Sequence, residues 1–179
     1  MQRPHPGRVV GAAAATVLLA AALAAATGGT ASALALHSCV GSQSSSYTPA
    51  LTNTTQQTVV EGTETLSSCP ITTAPGVRSG TISFRADRLY SCLALLTGGP
   101  VTRFITWNTG QTSTFSANAT VNIVDGQLVV LLNGTITAGL FVGAAGIEEA
   151  TLLGALDRCD DSGVSSLSGP VVLRIVNLL

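Results

Sequence analysis

The chain has 179 residues, with eight arginines, nine acidic residues and no lysine, for a formal charge of −1. Nucleic acid or an anionic membrane would need a basic face, and this composition builds none. The length suits one domain.

Residues 1–35 read as a secretory signal. Arg3 and Arg8 give a positive start, Val9 to Ala26 form an apolar run, and two overlapping A-x-A sites end at Ala33 and Ala35. Alanine dominates the run and adds little transfer energy, which favours removal over a permanent anchor. Leu36-His37-Ser38 before Cys39 is not the small-residue context of a lipid-modified cysteine. Residues 36–179 form the expected secreted domain, with six arginines against nine acids.

That domain is rich in Thr, Ser, Gly, Val and Leu, and its β-branched runs are cut by Gly, Pro, Asn and Asp, as in an all-β fold. Strands are expected at Ser42–Thr48 and Gln57–Ser68, joined by a turn near Asn53-Thr54-Thr55. Such a hairpin sets Cys39 opposite Cys69 and leaves Cys92 for Cys159. Four widely spaced cysteines in an exported chain read as two disulfides rather than a zinc site.

A third strand falls at Gly80–Ala86, and a second hairpin joins Val101–Trp107 to Gln111–Val124. A two-residue Thr109-Gly110 turn pairs Phe104 with Phe115. A three-residue turn with Gly110 in the left-handed region shifts that register. The first is preferred because it keeps Arg103 from facing buried Phe115.

The clearest element is the hairpin Phe115–Ala138. Asp125-Gly126 suits a type I′ turn, which pairs Ile123 with Leu128, Val121 with Val130, Ala119 with Leu132 and Phe115 with Ile136 on one apolar face. Val129 and Leu131 lie on the other face, which is otherwise polar. Ile147–Leu153 and Val171–Asn177 bring the total to about eight strands. Leu152–Arg158, the best helix candidate, is too short to stand alone. Burying one face of each strand suggests an antiparallel two-sheet β-sandwich, immunoglobulin-like or related.

The stretches 105–113 (ITWNTGQTS), 134–143 (GTITAGLFVG) and 166–173 (SLSGPVVL) resemble small exported β-proteins of unknown function from high-GC actinobacteria. The resemblance implies an extracellular or envelope location and carries no catalytic residue.

His37 is the only histidine of the secreted domain, and G-x-S-x-G is absent, so a serine hydrolase lacks its parts. Glu61/Glu64 and Glu148/Glu149 are candidate acid–base pairs, though such residues commonly decorate solvated strand faces. Asp157, Asp160 and Asp161 lack the ordered spacing of a calcium loop. Three N-x-S/T sequons, at Asn53, Asn118 and Asn133, read as chance matches in a Thr-rich chain. The expectation is a non-enzymatic secreted or envelope module, structural or interacting, without cofactor or metal, its candidate partners being proteins or cell-wall and extracellular polysaccharide. The alternative is a polysaccharide-binding module in which Trp107, Asn108 and Gln111 contact the ligand, although a lone Trp more often fills a core.

Overall fold

The computed structural model describes residues 34–177 except 155. The expected signal at 1–35 lies almost wholly outside the described residues. Eight antiparallel strands follow in chain order: β1 (Leu34–Leu51), β2 (Gln56–Thr72), β3 (Gly80–Tyr90), β4 (Gly99–Trp107), β5 (Thr112–Val124), β6 (Gln127–Gly139), β7 (Ala145–Leu152) and β8 (Val164–Asn177). Each pairs with its sequence neighbours, and β1 pairs with β8.

The result is a closed up-and-down barrel, which corrects the expected two-sheet sandwich. One apolar face per strand is needed in either fold, so alternation alone does not distinguish them; the closing β1–β8 ladder does. Inward positions are buried and largely apolar, while Ser42, Ser44 and Ser46 face outward and are exposed. That is the reverse of a lipid-facing barrel. No helix among the described residues is long and apolar enough to cross a membrane.

The Asp125-Gly126 hairpin has the expected register, from Ile123 opposite Leu128 to Phe115 opposite Ile136. Its turn residues have φ of 50° and 76°, as a type I′ turn requires. The second hairpin differs. Trp107 N–H donates to the Gln111 carbonyl around a three-residue loop, with Gly110 at φ 81°, so Arg103 lies opposite Phe115. This one-residue shift turns Arg103 into the barrel and leaves Phe104 66% exposed.

Disulfides sit toward opposite ends of the barrel. Cys39–Cys69 joins β1 to β2, and Cys92–Cys159 ties the β3–β4 connection to the β7–β8 connection. Two irregularities in the β1–β2 ladder, flanking Val40, accommodate the first bond. The Cys39 end is closed by His37, Trp107 and Phe141, whose rings pack at centroid distances of 4.8–5.9 Å, above Phe115 and Ile136.

Candidate functional site

The other half of the barrel is not filled. A cavity of about 430 Å³ lies inside it, within the size range of small-molecule sites. Its wall is mixed, with apolar side chains that include Val60, Phe84, Val101, Val121, Val130 and Leu152. Gln43, Ser45 and Tyr47 of β1 and Arg103 of β4 supply polar groups, and Arg88 and Tyr90 stand at the β3 end.

Access follows from an incomplete wall. β3 and β4 pair only from Gly80–Ile82 to Ile105–Trp107. Beyond that, β3 keeps its ladder to β2 as far as Tyr90, and β4 keeps its ladder to β5 as far as Gly99, but the two strands no longer pair with each other. Gly98-Gly99-Pro100 opens this stretch of β4. Gly99 has φ 153°, and Pro100 brings no N–H to a ladder, as suits an edge. Arg103 spans the seam from within, its guanidinium carbon 4.3 Å from the centre of the Phe84 ring. Gly62 makes room for this stack, since a Cβ there would lie 2.0 Å from the same ring.

Beneath Arg103 are two buried carboxylates. Its Nε lies 3.4 Å from Oε1 of Glu64 and 3.9 Å from Oε1 of Glu148. Glu64 comes from β2 and Glu148 from β7, each on the inward face because side chains alternate along a strand. Their chain neighbours Glu61 and Glu149 are exposed, and Glu61 pairs with Arg85 outside the barrel. The sequence pairs Glu61/Glu64 and Glu148/Glu149 are therefore split, and a new pair, Glu64 with Glu148, is formed across the barrel.

Burial and then the charge of Glu64 push the Glu148 carboxyl up to about 8, against the opposing pull of Arg103. Burial also raises Glu64, while Arg103 draws it down. Burial thus disfavours ionisation of both carboxyls, and Arg103 is the neighbour that favours it.

The residues expected to contact ligand lie elsewhere. Trp107 is 2% exposed, and its Nε1–H donates to Ser113 Oγ at 2.9 Å, which in turn donates to the Leu140 carbonyl at 2.7 Å. Its ring offers no face to a sugar. Asn108 clamps the β2–β3 loop, accepting from the amides of Arg78 and Ser79 and donating to the Gly76 carbonyl. Gln111 is exposed and accepts from Thr109 Oγ1 within its own turn. Asp157, Asp160 and Asp161 are exposed, and Asp160 accepts from Asn53.

His37 Nε2 lies 2.9 Å from Cys39 Sγ in the closed end, and burial lowers its pKa to about 4. Its ring is neutral near pH 7, and the sulfurs beside it belong to a disulfide, so these three residues present no free thiolate for a metal.

Fold and site together define an up-and-down β-barrel with an interior cavity. The chain matches no family model, no curated protein and no solved structure.

Proposed function

We propose that this is a secreted, non-enzymatic barrel that binds a small molecule with apolar and polar parts in its interior. The carrying observation is the 430 Å³ cavity, lined by apolar and polar side chains and adjoining a seam between β3 and β4. Two disulfides support an oxidising location, as do the signal-like N-terminus and the likeness to exported actinobacterial proteins. The non-enzymatic reading rests on the chemistry present: the single histidine of the secreted domain is packed away in the closed end, and the two carboxylates sit behind Arg103 rather than on the cavity wall. A structural or interaction role thereby becomes a specific one, carriage or capture of a ligand.

The test uses the secreted domain with its disulfides intact and the neutral apolar dye N-phenyl-1-naphthylamine. One dye per barrel should bind with enhanced fluorescence. Ala119→Trp, which fills the cavity from β5, should abolish binding while preserving a cooperative melt. No binding by the parent domain, or unchanged binding by a folded Ala119→Trp, would overturn the proposal.

A further inference from the structure

The charge balance beneath the cavity restricts what the ligand can be. Resting on the reading of the cavity as a binding site, we infer that it selects an uncharged molecule that turns a carbonyl oxygen onto Arg103.

Arg103 is the ionic group deepest in the cavity wall, and its Nε is turned toward Glu64 and Glu148. That leaves the Nη edge of the guanidinium fork for a ligand. A guanidinium donates without accepting, so its partner must bring an acceptor oxygen. An ester, ketone, lactone or amide carbonyl qualifies, and the bond is strengthened by the donor's charge.

Ligand charge is decided by what already surrounds the guanidinium. Two carboxyls and one guanidinium share a desolvated space: Glu64 is fully buried, Glu148 is 2% exposed, and the Arg103 side chain is 14% exposed. The guanidinium already faces two carboxyl groups, 3.4 and 3.9 Å from its Nε. A ligand carboxylate would become the third carboxyl around a single guanidinium and would enter with no counter-ion of its own. Arg88 does not remedy this, because it stands exposed at the β3 end, where water screens it. An ammonium is disfavoured for the opposite reason. The carboxylates that would attract it lie behind Arg103, and the first charge it meets is positive. A neutral carbonyl disturbs neither balance.

The side chains along the wall set the rest of the molecule. Val60, Val101, Val121, Val130 and Leu152 offer apolar contact and Gln43, Ser45 and Tyr47 polar partners on the β1 side, so a ligand polar atom set against the aliphatic residues would lose its water uncompensated.

The test is displacement of bound N-phenyl-1-naphthylamine from the disulfide-intact domain at pH 7 by matched nine-carbon compounds: 2-nonanone, nonanoate, nonylammonium and nonane. The ketone should displace the dye at a concentration at least about tenfold below that needed for either ion, and below that needed for nonane. Arg103→Met should erase the advantage of ketone over nonane. The ketone-to-ion ratio in the unmutated domain tests the inference even if Arg103→Met does not fold. Nonanoate binding as well as the ketone would overturn it, and so would ketone and nonane binding equally. In both cases the dye still binds, so the cavity reading survives. Failure of the dye itself to bind removes that reading and this inference with it.

Discussion

Arg103 and Glu64 meet inside the barrel, Nε to Oε1, at 3.4 Å, from strands that are not neighbours. The pair is desolvated, and its strength depends on a second carboxyl, Glu148, 3.9 Å from the same nitrogen. Glu148 keeps its proton at pH values where an exposed glutamate has lost it. The middle of this barrel is consequently a proton-sensitive structure, not a passive ion pair.

Stability should depend on pH in a distinctive shape. Glu148 is raised from 4.5 to about 8, so the native state binds its proton more tightly than the unfolded chain does. Its contribution is full below about pH 4.5 and lost as pH rises to about 8. Glu64 is raised as well and acts in the same sense. His37 is lowered from 6.5 to about 4, so its contribution is full above about 6.5 and lost as pH falls to about 4. Between 4.5 and 6.5 the opposing Glu148 and His37 slopes offset each other; from 6.5 to 8 only the carboxyl loss remains, on the order of a few kcal/mol. Urea melts from pH 4 to 9 should show this fall. Glu148→Gln should flatten most of it, and His37→Phe should extend the decline down toward pH 4.5. A pH-independent parent domain would contradict the burial of both groups.

Removing the guanidinium should strand Glu64. Breaking one partner of a buried pair typically costs about 3–5 kcal/mol, and Arg103→Leu should cost that much at pH 8. The cost should shrink at pH 5, where Glu64 can hold a proton instead. Arg103→Leu/Glu64→Gln should recover much of the loss at pH 8, because the carboxyl nearest the lost guanidinium is then removed as well. Equal costs at the two pH values in a chemical denaturation series would show that Arg103 acts by packing alone.

The sequence reveals this site only in part. Asp125-Gly126 specifies its turn almost without alternatives, and the β5–β6 register follows from it. The loop at Asn108-Thr109-Gly110 allows two lengths. Choosing between them on the grounds that an arginine should not face Phe115 gives the wrong one, because Arg103 finds counter-ions on β2 and β7 that no local pattern displays. Period-two alternation does place Glu64 inward beside Leu66, and Glu148 inward beside Ala150. What the sequence withholds is closure. Only the β1–β8 ladder brings β2 and β7 around to face the same interior. Sandwich and barrel share the same alternation, so neither the meeting of the carboxylates nor the cavity above them is written in any single segment.

Trp107 should report a closed end. With the ring 2% exposed, acrylamide should quench its fluorescence only weakly. Ser113→Ala removes the oxygen that receives the indole N–H and that donates to the Leu140 carbonyl. An unsatisfied buried donor costs about 1–3 kcal/mol, so this single hydroxyl should matter far more than that of Ser116, whose hydroxyl bond to Thr137 is exposed. Strong quenching in the folded domain would mean the ring is presented to solvent, and the polysaccharide reading would regain its basis.

The two ends of β6 should respond differently to the same kind of truncation. Ile136 is fully buried in the packed end, opposite the equally buried Phe115. Leu132 is also buried, at 1% exposure, but its side chain borders the cavity. Removing a buried aliphatic side chain costs its transfer energy plus a term for the void it leaves, typically about 2–5 kcal/mol in all. At Ile136 the void is new and enclosed, which places Ile136→Ala toward the upper part of that range. At Leu132 the removed atoms already faced empty space on one side, which places Leu132→Ala toward the lower part. Thr137 points outward and is exposed, and Thr137→Ala should stay within about half a kcal/mol. The same Leu132→Ala change enlarges the cavity, so dye affinity should change there and remain unaltered in Ile136→Ala. Equal destabilisation at the two positions, with dye binding indifferent to both, would mean that the half of the barrel around Leu132 is as tightly filled as the half around Ile136.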